Sequence, residues 1–502
     1  MSSFASTPSG TFPPLGPLAS FVETAASAGK GRILKTKRAF KAGSTVFFDT
    51  PLVSASWHQH ECIECATDPS VGNQIRPHSS GRCPRLATLG YYPPKLIANI
   101  ENVEAAVCML VHPQLLDEDS MDVDDDDEDG PDAMEVLDKA RCLIKCILWC
   151  SQTAGERRQK VLSAMRNLTV ANPERDLEIA SKLRQVPLLT SSGLLPKRPT
   201  SSLHLTDADL GQILGALNTN SHMLDRGGSA LFLVGAMMES NCYPNCSFFT
   251  AKRGSRLSVI ALRDLQVGEP VSIDYGNNYY RPTLERRQEL SSSYGFQCDC
   301  ESCTVLPDLC RAFTCPRSEC SGGVVHPKGD GAAAGSWACA KCNTVLSEQE
   351  QANFQNAEEM ITGQGFLNSE EAADAAVAQF GLHPTHYLIF WCLNALGEMA
   401  IEEIDQGLEP GEARRIWKRV INLAEIVIPN HPELHLMFDK LAQVECLARD
   451  FGAAKAAWNR SYELACTSAD IIARKHIKRL RDNPPTTASK LQAIYAEQEM
   501  DR

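Results

Sequence analysis

Residues 294–303 read Tyr294-Gly295-Phe296-Gln297-Cys298-Asp299-Cys300-Glu301-Ser302-Cys303. The run ends in a Cys-x-Cys-x2-Cys triplet, and its three thiolates are spaced to bind one tetrahedral zinc ion. A structural zinc site has four ligands, so a fourth must come from elsewhere in the chain. Cys242 opens the run Cys242-Tyr243-Pro244-Asn245-Cys246 and is our candidate for that ligand. The predicted zinc site therefore consists of Cys242, Cys298, Cys300 and Cys303.

A second group of cysteines follows the triplet. Cys315 and Cys320 form one pair, Cys339 and Cys342 form another, and a glycine- and alanine-rich link joins the two pairs. This arrangement is typical of a zinc ribbon, so we predict a second zinc site. Cys310 is a competing ligand, and four unliganded thiols are the alternative interpretation.

Two further motifs precede the triplet: Gly29-Lys30-Gly31-Arg32 near the start, and Gly268-Glu269 leading to Asp274-Tyr275. With the segment Glu239-Ser240-Asn241-Cys242-Tyr243-Pro244-Asn245, they stand in the order found in SET-domain protein lysine methyltransferases. The chain resembles this family, in the SMYD-like branch that also carries a MYND zinc finger. It departs from the family at one point, because Glu239-Ser240 replaces an Asn-His pair.

The resemblance implies an α+β fold, with a β-rich SET core, a cysteine-rich post-SET zinc tail and an all-α TPR-like C-terminal domain. It also implies S-adenosyl-L-methionine as cofactor, zinc as structural metal and a lysine-bearing protein as substrate. Tyr275 and Tyr294 align with the catalytic residues of the family. The residues that align with its cofactor site are Lys30, Gly31, Arg32, Asn220, Glu239, Ser240, Tyr275 and Phe296.

Methyl transfer to lysine requires a neutral amine, whereas a free lysine side chain has a pKa of ~10.4. An apolar, aromatic channel lowers that pKa because it disfavours the charged form. Tyrosine suits such a channel, since its ring forms a wall and its hydroxyl can accept a hydrogen bond from the amine.

The Glu239-Ser240 departure leaves a second hypothesis open, a catalytically weak SET scaffold that binds partners through its helices.

Composition and patterning divide the chain into eight predicted segments. They are a disordered N-terminus (1–28), the first part of the SET core (29–57), a degenerate MYND-like or inserted region (58–116), an acidic disordered insertion (117–133), a helical insert (134–229), the rest of the SET core (230–290), the post-SET and zinc-ribbon-like segment (291–346) and the helical TPR-like domain (347–502). We predict that the helices fold over the open side of the SET core as a lid. One core shared with the helices is the alternative.

Local patterns predict the main elements. Residues 134–165 have helical periodicity, and Cys142, Cys146 and Cys150 recur every four residues, which predicts a buried stripe. Thr206 followed three residues later by Asp209 predicts a helix start. Alternation between residues 230 and 275 predicts strands, the first over 230–238 and the last over 271–275.

The segment 58–116 contains Cys62-x2-Cys65, which could begin a zinc finger. A MYND finger needs two interleaved sets of four ligands, and the segment does not supply both. A degenerate finger that survives as a loop is the alternative interpretation.

The net charge of −13 is concentrated in one place, because residues 117–132 hold 11 acidic groups and no basic ones. The rest of the chain carries about −2, so this run should be solvated, with binding of basic histone tails as an alternative.

Basic residues are dispersed, which argues against direct nucleic-acid binding. No apolar stretch reaches the ~20 residues of a membrane span. We expect a nuclear or cytoplasmic monomer whose C-terminal helices can bind protein partners.

Overall fold

The computed structural model describes residues 15–27, 31–56, 100–111, 133–152, 156–191, 195, 205–224, 228–251, 256–276, 279–329, 337–363, 365, 367–404, 409–429, 431–468 and 471–501. Nearly all of the acidic insertion, most of the MYND-like region and Lys30 lie outside these residues. Within them, no helix is long and apolar enough to cross a membrane.

The strands described in the structure are short and lie between residues 22 and 339. They are β1 (Val22–Ser27), β2 (Gly31–Thr36), β3 (Thr45–Asp49), β4 (Val53–Ser56), β5 (His222–Met223), β6 (Gly228–Leu231), β7 (Glu239–Ser240), β8 (Cys246–Ala251), β9 (Arg256–Ala261), β10 (Ser272–Ile273), β11 (Phe313–Thr314), β12 (Val324–His326) and β13 (Ala338–Cys339). The sheets have the strand orders β1-β2, β3-β9-β8, β4-β6-β5, β7-β10 and β11-β12-β13. All pairs are antiparallel except β7 with β10, which is parallel.

The disorder predicted for residues 1–28 is wrong for residues 15–27. Residues 22–27 form β1, which pairs with the whole length of β2 from Val22 opposite Thr36 to Ser27 opposite Gly31. Val22 is fully buried against Leu34 and the adjoining core. The sequence hid this strand because its other residues are small or polar, and main-chain pairing with β2 supplies most of its contacts.

Between the two parts of the SET core, the described residues form six helices. They are α1 (Ile100–Val111), α2 (Ala133–Gln152), α3 (Glu156–Arg166), α4 (Pro173–Leu183), α5 (Pro187–Ser191) and α6 (Asp207–Asn220). The predicted cysteine stripe on α2 is confirmed, since Cys142, Cys146 and Cys150 are all fully buried. The predicted start of α6 is also confirmed: Thr206 accepts a hydrogen bond from the Asp209 N–H, and the Asp209 carboxylate accepts one from the Thr206 N–H.

Two predicted strands are shorter than expected. The strand expected over 230–238 ends at Leu231, and a 3-10 turn follows at Gly235–Met237. A Cβ atom at Gly235 would lie 2.7 Å from Leu257 Cδ2. The turn therefore begins at a position where only glycine fits. The strand expected over 271–275 is reduced to β10, because residues 274–276 leave the sheet.

The predicted helical C-terminal region is confirmed. A helix before the cysteine triplet, α7 (Thr283–Tyr294), and a short one that begins within the triplet, α8 (Glu301–Thr304), precede it. The region itself contains α9 (Glu348–Gly363), α10 (Glu370–Phe380), α11 (Tyr387–Ile404), α12 (Gly411–Val427), α13 (Leu434–Leu447), α14 (Phe451–Ser468), α15 (Ile471–Asp482) and α16 (Ala488–Asp501). A TPR-like arrangement of these helices stays a prediction.

The second cysteine group shares a hydrophobic core with the C-terminal helices. Phe313 and Trp337 are fully buried, and the Phe313 ring stacks on Phe354 of α9 with centroids 4.5 Å apart. Tyr280 belongs to the same core, stacking on Phe390 at 3.8 Å. The predicted boundary at residues 346 and 347 therefore cuts through a core.

The C-terminal helices also contact the SET core directly. The Tyr243 hydroxyl donates to the Pro429 carbonyl at 3.0 Å, and Tyr279 packs on Trp391 and His431 with centroids 5.3 Å apart in both cases. At Gly43 a Cβ atom would lie 2.3 Å from the Cys466 carbonyl oxygen, so the β2–β3 turn lies directly against the end of α14. These contacts fix the helical region to the face that carries the predicted site.

Candidate active site and cysteine centres

Two short parallel strands bring the predicted site residues together. β7 carries Glu239 and Ser240, and their partners on β10 are Ser272 and Ile273. The Asn241 N–H donates to the Ile273 carbonyl at 2.9 Å, which extends the pairing toward Cys242. Since both strands end at the same edge, the residues that follow each of them lie side by side.

Tyr275 follows β10 and is held by a hydrogen bond to the neighbouring segment. Its hydroxyl donates to the Met238 carbonyl oxygen at 2.5 Å. Burial raises the pKa of Tyr275 well above its usual value, so the phenol keeps its proton at physiological pH. Because its only proton is committed to Met238, the oxygen can interact with a ligand only as an acceptor.

Two more aromatic rings stand beside Tyr275. The ring of Tyr294, at the end of α7, lies 5.0 Å from the Tyr275 ring, and the Phe296 ring lies 6.4 Å away, edge-on. The Tyr294 hydroxyl donates to the Tyr275 carbonyl at 2.9 Å, which fixes the two residues to each other. Gly295 makes the turn between Tyr294 and Phe296 with a φ of +73°, a conformation that favours glycine. The structure thus gathers three predicted residues into one aromatic wall.

Asn245 has a structural role that the sequence did not reveal. Its side-chain oxygen accepts from the Ser272 N–H at 2.9 Å, and its Nδ2 donates to the Pro270 carbonyl at 2.7 Å. The Ser272 hydroxyl accepts in turn from the Asn245 N–H at 3.1 Å. This reciprocal pair ties the turn after Cys242 to β10, and hence to Tyr275.

The remaining predicted cofactor residues lie on separate elements. Gly31 begins β2 with a φ of +71° and no atom within 4 Å of a hypothetical Cβ, and burial lowers the pKa of the neighbouring Arg32. Asn220 ends α6, where its Nδ2 donates to the Thr169 and Ala216 carbonyls at 2.8 and 3.0 Å. A ligand would therefore have to use its side-chain oxygen. The side chain of Lys30 lies outside the described residues.

The departure from the family pair has a visible consequence on β7. Among the described residues, the buried Ser240 hydroxyl meets no hydrogen-bond partner. A buried hydroxyl without a partner is costly, and in native proteins it usually faces a ligand or an ordered water. Ser240 therefore fits a site that is completed by a polar ligand.

The first cysteine group closes around a point beside the aromatic wall. The sulfur atoms of Cys242, Cys298, Cys300 and Cys303 all lie within 4.8 Å of one another, and all four residues are buried. Cys242 lies 3.8 Å from Cys298 and 3.5 Å from Cys303. Four sulfurs bound to one tetrahedral zinc would lie about 3.8 Å apart. The arrangement therefore fits the predicted zinc site.

Arg286 of α7 is a neighbour of this group that sequence analysis missed. Its Nη2 lies 3.7 Å from the Cys303 sulfur, and the side chain is buried. Four thiolates around one divalent zinc would leave two negative charges in excess, and the buried Arg286 guanidinium would stabilise such a centre. A lone arginine eight residues before an aromatic pair carries no recognisable pattern.

The second group is gathered in the same way but lies closer to solvent. The sulfur atoms of Cys315, Cys320, Cys339 and Cys342 lie within 4.8 Å of one another, and Cys342 is exposed. Hydrogen bonding with Thr344 lowers the pKa of the Cys342 thiol to about 6. Cys310, the competing ligand, is not part of this group, because its thiol donates to the Asp308 carboxylate at 3.1 Å.

Gly323 provides a test of the second centre. A Cβ atom there would lie 2.4 Å from the Cys320 sulfur and 2.8 Å from the Cys339 sulfur. We expect Gly323→Ala to displace both sulfurs, so the purified protein should lose one of two zinc ions in a metal assay. Gly322→Ala is the matched control, since it has a φ of +70° but no atom within 4 Å of the new Cβ, and should keep both. Two zinc ions in Gly323→Ala would contradict the assignment.

Comparison with known proteins shows which family this sequence is similar to. The SET domain family matches residues 31–276. The histone-lysine N-methyltransferase set5 of Schizosaccharomyces pombe is 30% identical over 96 residues, which cover 19% of this chain and 30% of that protein. The N-lysine methyltransferase SMYD2-A of Xenopus laevis is 26% identical over 188 residues, covering 34% of this chain and 43% of that protein. The SMYD2 of Gallus gallus is 37% identical over 78 residues, covering 16% and 17%.

These matches span less than half of the length of each relative. A solved structure, the SET domain of LSMT bound to lysine and AdoHcy, covers 95% of this chain with 11% identity and a TM-score of 0.27, a score too low to align individual residues. The predicted resemblance to SET-domain lysine methyltransferases is confirmed at the level of the domain.

Proposed function

The chain carries a SET domain, and on that premise we propose that it is a protein lysine N-methyltransferase that uses S-adenosyl-L-methionine. The observation that carries the proposal is the partly buried aromatic wall of Tyr275, Tyr294 and Phe296, in which the Tyr275 hydroxyl is oriented as an acceptor. The names of the similar proteins, N-lysine and histone-lysine methyltransferases, support the same chemistry. The proposed substrate is a lysine of a histone or another protein, in the nucleus or the cytoplasm.

The described residues offer suitable groups for the cofactor. S-adenosyl-L-methionine supplies a methyl group on a positively charged sulfur, and it also carries an ammonium and a carboxylate. Arg32 is the candidate for the carboxylate and Glu239 for the ammonium, since both are charged and half-buried. The hydroxyl of Ser240 gains the partner that it otherwise lacks, and the Phe296 ring is suited to stacking on adenine.

The aromatic wall would prepare the lysine for reaction. Its rings exclude water and disfavour the ammonium form, so the lysine amine loses its proton more readily than in solution. The Tyr275 oxygen then accepts a hydrogen bond from the neutral amine and aims its lone pair. Alignment of the reacting atoms, rather than acid or base strength, is the main contribution of these residues.

The alternative function is a SET scaffold with little catalysis, favoured by Glu239-Ser240 in place of the family pair. Titration calorimetry with S-adenosyl-L-methionine separates the two, because a scaffold without a working site has no need to bind it. Transfer of a labelled methyl group to core histones and to a lysine peptide library then tests the chemistry. If the purified protein fails to bind the cofactor at millimolar concentration, the methyltransferase proposal is wrong.

Restoring the family pair gives a directed prediction. We expect the double variant Glu239→Asn, Ser240→His to bind S-adenosyl-L-methionine as tightly as the native protein or more tightly. An asparagine oxygen still accepts the cofactor ammonium, and an imidazole restores the larger side chain that the smaller Ser240 replaces. Calorimetry on both proteins is the measurement. A tenfold or greater loss of affinity in the double variant would show that the native Glu-Ser pair is itself the fitted one.

A further inference from the structure

Asp49 lies at the end of β3, outside every motif that the sequence suggested. Its side chain is only 8% exposed. The Oδ2 atom accepts hydrogen bonds from the Val234 N–H at 2.9 Å and the Gly235 N–H at 3.0 Å, and Oδ1 accepts from the Thr50 N–H at 2.8 Å. Burial raises the pKa of this carboxyl, and the three N–H donors oppose that rise. Among the described residues no cation pairs with it, so main-chain donors alone hold the carboxylate.

The two donors on Oδ2 begin the 3-10 turn that leads into the active site. Within the turn, the Met237 N–H donates to the Val234 carbonyl and the Met238 N–H donates to the Gly235 carbonyl, both at 3.0 Å. The turn is also tightly packed, since a Cβ atom at Gly235 would lie 2.7 Å from Leu257 Cδ2. The start of the turn is therefore held both by the Asp49 carboxylate and by close packing at Gly235.

The turn ends at the carbonyl group that orients the catalytic tyrosine. Met238 leaves the turn with an extended backbone, and its carbonyl oxygen accepts the Tyr275 hydroxyl at 2.5 Å. The next N–H, that of Glu239, donates to the Val271 carbonyl at 2.9 Å and begins the pairing of β7 with β10. Three peptide units separate the Gly235 N–H bound by Asp49 from the Met238 carbonyl used by Tyr275, which leaves little slack in the chain.

We propose that Asp49 is a positioning residue for methyl transfer, and that it acts by fixing the Met238 carbonyl that orients the Tyr275 hydroxyl. This inference rests on the proposed function, but its geometric part does not. Without the carboxylate, Val234 and Gly235 lose their acceptor and the turn relaxes. The Tyr275 hydroxyl is then free to rotate. Its proton can point toward the substrate amine, where the oxygen should instead accept a hydrogen bond.

The test compares Asp49→Ala with Asp49→Asn. An asparagine side-chain oxygen can still accept from Val234 and Gly235, whereas alanine offers no acceptor. With core histones as acceptor, we expect Asp49→Ala to lower kcat by about 100-fold, the usual effect of a misplacement near 1 Å. We expect Asp49→Asn to stay within about fivefold of the native kcat, and KM for S-adenosyl-L-methionine to change by less than about threefold in both.

A control variant separates positioning from loss of stability. Asp439 in the helical region also accepts buried hydrogen bonds, from Trp458 Nε1 at 2.9 Å and the Tyr495 hydroxyl at 2.8 Å. Asp439→Ala should lower Tm yet keep the native kcat when it is assayed well below Tm. An equal loss of kcat in both alanine variants, or a native kcat in Asp49→Ala, would overturn the proposal.

A structural readout keeps the inference independent of the acceptor used. In a crystal structure of Asp49→Ala we expect the distance from the Tyr275 hydroxyl to the Met238 carbonyl to exceed hydrogen-bond range, and in Asp49→Asn to stay near 2.5 Å. If native protein transfers no methyl group, the proposed function fails, and this distance still decides the role of Asp49. An unchanged distance in Asp49→Ala would refute the role.

Discussion

Replacing Tyr275 with phenylalanine is expected to lower kcat by roughly 30- to 1000-fold, the effect of losing ~2–4 kcal/mol of transition-state stabilisation. The ring remains, so the aromatic wall formed with Tyr294 and Phe296 keeps its shape. The oxygen that we propose accepts the amine disappears, and the Met238 carbonyl loses its donor. Cofactor affinity and KM should change little, because the interaction is made mainly in the transition state. Steady-state kinetics and calorimetry measure both effects.

Tyr280→Phe is the matched control for this variant. Its hydroxyl also donates to a main-chain carbonyl, that of Thr385 at 3.1 Å, and its side chain is buried, whereas that of Tyr275 is partly buried. Both variants should lower Tm by a similar amount, since each leaves one buried carbonyl without its donor. Only Tyr275→Phe should lose turnover. Equal turnover in the two variants would remove Tyr275 from the catalytic centre.

The features predicted correctly from sequence are those that impose spacing on the chain. Zinc accepts four sulfurs at fixed distances, so Cys298-x-Cys300-x2-Cys303 and the pairs of the second group carry their geometry in the sequence. A helix likewise imposes a period, which is why the stripe of Cys142 on α2 and the start of α6 at Thr206 were recognisable. Both signals depend on neighbouring residues rather than on distant ones.

The features that sequence analysis missed depend on partners far away in the chain. Asp49 and its acceptor role cannot be recognised, because its donors are main-chain N–H groups 185 and 186 residues later. Arg286 lies near the Cys303 sulfur only after α7 has packed against the triplet. Strand β1 depends on pairing with β2 rather than on its own apolar residues.

The relation between the cysteine-rich tail and the helices changed most between sequence and structure. Strand-like patterning stops near residue 346, which had suggested a separable lid beginning at residue 347. The structure instead gives Phe313, Trp337 and Phe354 one common core. Hydrophobic contact between strands and the helices that follow them does not change the local hydrophobic periodicity of either segment. The boundary could therefore not be predicted from the sequence.

The second large effect is therefore expected on truncation after residue 345. The fragment 1–345 would expose Tyr280, Phe313, Val325 and Trp337, all of which are buried in the full chain. Loss of a single buried phenylalanine or tryptophan side chain costs about 3–5 kcal/mol, and a whole domain is stable by only about 5–15 kcal/mol. We expect this fragment to be insoluble or to melt without a cooperative transition, and to hold fewer than two zinc ions.

The complementary fragment 279–502 should behave in the opposite way. Every buried residue of the shared core lies between Tyr280 and Leu491, so this fragment keeps the core intact. It also keeps Cys315, Cys320, Cys339 and Cys342, while Cys242 of the first centre is absent. We expect a soluble, helical protein with one tightly bound zinc ion, measured by circular dichroism, calorimetry and metal analysis. A folded 1–345 fragment with two zinc ions and faster methylation would restore the separable lid, because it would show that the helices only cover the site and do not help to build it.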